Sequence, residues 1–230
     1  ISLSSVTGTA AGTASHLTIN TTDAVTIKGS LGTDVGTITI TNSGGTTFNS
    51  TVDAATVAIT STSLNNAVTF NGNLNLTSGM TVGAGSAAYN VAINGSSNTI
   101  AGTTTFSNTG TVTLGNGGDT INFTGGVVAT APSAVTVNGT MTAAGTGVIT
   151  LGDSNTGVTI GGASTIGSTS TGTITMGAIA LNNNLTLGAG VATPISLTTV
   201  TGPSSSTANL TFDTTGSITV SGAIGTNVGT

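Results

Sequence analysis

A short triplet, apolar–small polar–apolar, recurs from one end of this 230-residue chain to the other. It reads Leu17-Thr18-Ile19, Val25-Thr26-Ile27, Ile38-Thr39-Ile40, Val57-Ala58-Ile59 and Val68-Thr69-Phe70 early in the chain. It continues through Val112-Thr113-Leu114, Val135-Thr136-Val137, Val158-Thr159-Ile160 and Ile174-Thr175-Met176 to Ile218-Thr219-Val220. A period of two sends the outer side chains of each triplet to one face of a strand and the middle one to the other. The Val, Ile and Thr residues are stiff at χ1 and suit a half-buried pleated surface. Gly, Asn, Ser and Asp fill the intervals, and these residues tolerate tight turns. A three-residue strand buries too little to stand alone, so the triplets must stack on one another.

Charge narrows the possibilities further. Only 3% of the residues are charged, against about a quarter in an average globular protein. The anions are six Asp with no Glu, and Lys28 is the lone cation, with no Arg. Helical surfaces depend on Glu, Lys and Arg pairs, so a helical protein is excluded. One cation cannot neutralise a phosphate backbone, which excludes nucleic-acid binding. No apolar run is long enough to span a bilayer as a helix. The absence of Cys removes disulfide and thiolate chemistry. Low net charge and regularly spaced Val, Ile and Leu also separate this chain from a disordered Gly/Ser tract.

A β-sandwich also has many short strands, but three features favour a solenoid. Triplets recur about every dozen residues, so two strands per turn predict coils of about 25 residues. Aromatic residues make up only 3% of the chain, whereas sandwich cores lean on them. The third feature is a long self-repeat. Residues 1–37 recur as 195–230, with 19 identities over 36 aligned positions when one gap is placed near His16. Gly29-Ser30-Leu31-Gly32-Thr33-Asp34-Val35-Gly36-Thr37 answers Gly222-Ala223-Ile224-Gly225-Thr226-Asn227-Val228-Gly229-Thr230. The expected fold is therefore all-β, a right-handed parallel β-helix of about nine coils. Residues 1–194 form one long unit and 195–230 the start of a second, in a continuous rod that reads as a cut through a longer array.

The run from Val25 to Phe48, with Val-Thr-Ile, Ile-Thr-Ile and Thr41-Asn42-Ser43-Gly44-Gly45-Thr46-Thr47-Phe48, resembles the β-strand-repeat regions of giant bacterial surface proteins. These regions are similar to filamentous-haemagglutinin-type adhesins and autotransporter passengers. The resemblance implies a right-handed β-helix exported to the cell surface. Outer faces of Thr, Ser and Asn without Lys gatekeepers predict packing against identical copies, as a stalk, sheath or fibre. A Cys-free, Lys-poor chain beginning at Ile1 fits a mature or excised extracellular piece. Surface glycans are the other expected partner class, and a calcium-dependent surface layer is the alternative assembly.

Catalysis is not expected. A lyase on this scaffold needs a cationic base beside metal-binding carboxylates, and Lys28 alone cannot supply it. A glycoside hydrolase needs two close carboxylates; the six Asp are widely scattered, and only Asp119 and Asp153 are expected to approach each other. No glycine elbow sets up a Ser–His–Asp triad. Asp119 is also the one metal candidate, because Gly115-Asn116-Gly117-Gly118-Asp119-Thr120-Ile121 matches half of a calcium-binding nonapeptide. A Gly-rich turn is the competing reading, since such sites need tandem copies. His16, Lys28 and Asp34 read as surface or turn residues, and no other cofactor is expected.

Overall fold

A computed structural model describes residues 1–9, 14–32, 34–167 and 169–229. The parts of the self-repeat at residues 10–13, Thr33 and Thr230 lie outside the described residues. Among the described residues the fold is all-β without a helix, a parallel β-solenoid of about ten turns. Every strand pairing is parallel, and each strand meets the equivalent strand one coil away.

Each coil passes over three faces. On the first, Thr18 pairs in turn with Thr39, Ala58, Thr81 and Thr105, and the row runs on to Thr219. On the second, Ser2 pairs with Thr26, and the row continues through Thr47 and Thr69 to Thr201. The third carries Leu31, Val52, Leu74 and, further along, Ile121, Met141 and Ile166.

Successive coils lie roughly 22 residues apart, shorter than the 25 expected, and hold three strand segments where two were expected. Single strands on each face escape the triplet pattern where a hydroxyl stands in place of an apolar residue. Thr46-Thr47-Phe48, Thr104-Thr105-Phe106 and Ser164-Thr165-Ile166 are all strands, with Thr46, Thr104 and Ser164 pointing inward and buried.

Inside, like packs on like along the axis. Val25, Thr46, Val68, Val91, Val112, Val135, Val158, Ile179 and Val200 form one column of paired residues on the second face. Phe48 and Phe70 stack in the neighbouring column with centroids 4.8 Å apart. Each such side chain contributes about 1.5–3 kcal/mol on burial, and the backbone ladder sets the rung spacing at about 4.8 Å.

Corners use a second device. Ser43, Ser170 and Thr214 each accept a hydrogen bond from the backbone N–H two residues on, the ST-turn. Thr62, Thr193 and Thr214 donate to carbonyls of the preceding coil. The turn hydroxyls thereby also tie coil to coil and leave few backbone groups unpaired.

The two sequence copies fold alike. Ser2 pairs with Thr26 as Ser196 pairs with Thr219, and Val6 meets Leu31 as Val200 meets Ile224. Asp34 and Asn227 both adopt φ of 65°, a region that Asp and Asn tolerate best after Gly. The copies nevertheless occupy different faces. Ser2–Leu3 lies on the second face, whereas Ile195–Leu197 lies on the first; Ser15–Asn20 is on the first, and Ala208–Thr214 on the third. The 194-residue offset between copies thus closes one face short of a whole number of turns.

Thr104 breaks an otherwise apolar column between Met80 and Val127, and its hydroxyl finds no hydrogen-bond partner among the described residues. An unpartnered buried hydroxyl costs about 1–3 kcal/mol. Thr104→Val keeps the shape and removes the hydroxyl. It is expected to raise stability by about 1 kcal/mol or more, measured as the shift of the urea midpoint at unchanged m value.

Candidate functional site

The most regular chemistry on this molecule lies in the outward rows of its flat faces. Along the second face every rung from Ser2 to Thr201 is Ser, Thr or Ala, with Ala only at Ala92 and Ala180. The first face from Thr18 to Thr219 departs from hydroxyls only at Ala58 and Val128. The triplet's middle residue sets each rung, and the parallel register stacks it on its neighbour. Neither row contains a charged side chain. The gatekeeper Lys that usually blocks edge-on or face-on association is absent from both.

An amide ladder runs beside the second face. Asn71 donates to Asn49 at 3.0 Å and Asn94 to Asn71 at 3.2 Å. Sequence reasoning missed it. The signal was an Asn directly after the strand in Thr46-Thr47-Phe48-Asn49, Val68-Thr69-Phe70-Asn71 and Val91-Ala92-Ile93-Asn94.

The carboxylates are distributed over corners and edges. Asp119 is buried, at 6% exposure, where the strand Thr111–Phe123 turns a corner through a register shift between Leu114 and Asp119. Its Oδ2 accepts the Asn116 N–H at 2.7 Å. Gly115, Gly117 and Gly118 all take positive φ, and Asn138 of the next coil donates to the Gly115 carbonyl at 2.9 Å. The motif that reads as half a calcium loop forms a corner bulge, and its own carboxylate fastens it. Among the described residues, no group of three or more His, Asp or Glu is gathered in a metal-holding arrangement.

Asp153 sits at a different corner, between the first and second faces, where Oδ1 accepts the Asn155 and Thr156 N–H groups at 2.8 and 2.9 Å. The structure does not bring Asp119 and Asp153 together. Asp53 accepts from Asn75 at 2.7 Å on the third face. His16 is an exposed strand residue, not the turn residue expected, and its Nδ1 accepts the Thr37 N–H at 3.0 Å. Lys28 is exposed just beyond Val25–Ile27, and Asp34 occupies a turn.

Concavities are shallow. One depression of about 410 Å³ lies on the first face where Ala58 interrupts the hydroxyl row, bordered by Thr81, Thr103, Thr105 and Ser107. It holds no charged group and no aromatic ring. Tyr89 and four of the five Phe are buried, so they offer no open ring for stacking a sugar. Among the described residues, no helix is long and apolar enough to cross a membrane.

No protein-family model, curated protein or solved structure matches this chain. The fold itself defines the class, a parallel β-solenoid repeat protein.

Tyr89 is the only tyrosine. Its ring is buried and its hydroxyl donates to the Gly83 carbonyl at 2.6 Å. Burial pushes the phenol well above its ordinary range. The unfolded chain ionises this group near pH 10, while the folded chain keeps the proton. Its contribution to stability is therefore complete below about pH 10 and lost as pH rises through the folded value. The urea midpoint of the native protein is expected to fall above about pH 10, with a smaller fall in Tyr89→Phe; equal falls would exclude Tyr89 as the source.

Proposed function

We propose that this chain is an extracellular structural segment of a large repetitive bacterial surface protein. It forms part of a fibre, sheath or adhesin stalk by packing against identical copies, and it carries no catalytic activity. Residues 1–194 are one unit of that protein and 195–230 begin the next. The observation that carries this reading is the pair of uncharged hydroxyl rows, which run over about ten turns without a Lys or Glu to keep faces apart. Thr and Ser on a flat face hydrogen-bond to a second such face without the desolvation penalty of buried charge. The resemblance of residues 25–48 to surface-protein repeats points the same way, as does the chain's freedom from Cys.

Sedimentation velocity tests this reading. The chain is expected to associate as its concentration rises. The triple variant Thr69→Lys, Thr113→Lys, Thr159→Lys, which places cations along the second face, is expected to cut association at least tenfold with an unchanged far-UV spectrum. A native protein that stays monomeric at every concentration, with electron micrographs of single short rods only, would contradict the proposal.

A further inference from the structure

Asparagine followed by glycine occurs four times in the chain, as Asn71-Gly72, Asn94-Gly95, Asn116-Gly117 and Asn138-Gly139. In such a pair no Cβ shields the glycine nitrogen from the asparagine side-chain carbonyl carbon. The two atoms can close a five-membered imide, which makes these pairs the most labile amides of a chain. Closure requires the backbone between them to turn, and the solenoid treats the four pairs unequally.

Three pairs are clamped by neighbouring coils. Asn71 donates to Asn49 at 3.0 Å and accepts from Asn94 at 3.2 Å, so both amides are held in one ladder. Their glycines are crowded by backbone. A carbon in the Cβ position would lie 2.1 Å from the Ser50 carbonyl carbon at Gly72, and 2.5 Å from the Gly72 carbonyl oxygen at Gly95. Asn138 donates to the Gly115 carbonyl at 2.9 Å, and the Gly139 N–H donates to Ser164 at 3.2 Å. Gly139 is also paired in register with Asp119.

Asn116-Gly117 stands apart. The strand Thr111–Phe123 pairs up to Leu114 and resumes at Asp119 on one side and Thr120 on the other, so residues 116–118 have no rung partner. Asn116, Gly117 and Gly118 are exposed. A carbon added at Gly117 or Gly118 would meet nothing within 4 Å, which leaves room for a ring. Asp119 accepts the Asn116 N–H at 2.7 Å and steadies only the near side of the residue. Among the described residues no hydrogen bond holds the Asn116 side-chain amide.

We infer that Asn116 is a site of spontaneous deamidation in the folded protein, and that the stack protects the other three pairs. The Gly117 nitrogen attacks the Asn116 Cγ. The new N–Cγ bond forms as the Cγ–Nδ2 bond breaks, and the amide leaves as ammonia with the proton lost from the Gly117 nitrogen. Water then adds to one of the two ring carbonyls and opens the imide, giving an aspartyl or isoaspartyl residue at position 116. Water is the only co-reactant, and nothing is oxidised or reduced. Each event adds one negative charge to a chain of net charge −5, three positions from Asp119. Like charges this close repel, so the bulge that one carboxylate fastens is loosened by a second. A corner bordering the uncharged second face thereby becomes anionic with age.

Peptide mapping by mass spectrometry tests the inference on the full chain. The folded protein is held in mildly alkaline buffer, then digested at acid pH to stop further reaction. Conversion at position 116 is expected to run at least tenfold faster than at Asn71, Asn94 or Asn138. In concentrated urea the four rates are expected to converge, because the coils no longer clamp three of them. Hydroxylamine, which cleaves the imide, is expected to cut the folded chain between residues 116 and 117 alone, and to leave Asn116→Gln intact with an unchanged far-UV spectrum. Conversion of Asn71, Asn94 or Asn138 at the rate of Asn116 in the folded chain would overturn the inference. So would a folded chain that keeps Asn116 intact while the unfolded chain converts it.

Discussion

The interaction on which the rest of this structure depends is the backbone hydrogen-bond ladder that runs along the axis from coil to coil. Parallel pairing in register means that every residue meets its equivalent about 4.8 Å above and below. A side chain is thus selected largely by whether it tolerates its own kind as a neighbour. Val, Ile and Leu do so inside and Thr outside. Charges do not, because like charges directly opposite repel. The aspartates follow this rule: Asp53 faces Asn75, Asp119 faces Gly139 and Asp213 faces Gly188. The scarcity of charge is therefore a consequence of the stacking geometry as well as a property of the surface.

Stacking also explains how much could be read from the chain beforehand. Triplets such as Val135-Thr136-Val137 declare their strand and its inner face, because period-two alternation has no other use for that pattern. Segments such as Ser164-Thr165-Ile166 do not, since their inward hydroxyl is acceptable only where a turn group or a neighbouring coil can bond it. Ser164 reaches the Gly162 carbonyl at 2.8 Å, a partner invisible in sequence. Missing such strands lengthened the expected coil. The role of Asp119 was equally hidden. Gly-rich spacing before a carboxylate is compatible with more than one loop, and the Asn116 N–H that Asp119 accepts is not visible in the sequence. The self-repeat was legible, but its placement on different faces required counting strands that the triplets alone do not reveal.

Buried polar groups add specificity to a core that apolar columns alone would leave free to slip. Asn98, 1% exposed, accepts the Leu74 N–H at 3.0 Å and donates to the Gly95 and Thr120 carbonyls. It thereby touches the coils on both sides of its own. Asn108 donates to the Tyr89 carbonyl at 2.9 Å. A one-residue slip of any strand would strand these amides in hydrocarbon and turn the triplets inside out. Register is thus held at a few polar positions, while cohesion is spread over all the columns. Stability in such a stack accrues by nearest neighbours.

The closure of the sequence repeat one face short of a whole turn governs what a chain of successive units would show to its surroundings. A given residue of the unit would point in one direction in the first unit, a third of a turn away in the next, and a further third in the one after. An epitope, glycan or receptor-binding side chain placed once per unit would then wind around the rod as a spiral and be reachable from every side. Inserting one strand segment per unit would close the repeat and align all those positions along a single edge. In such an array the length of the repeat would decide between a one-sided ribbon and a bristle.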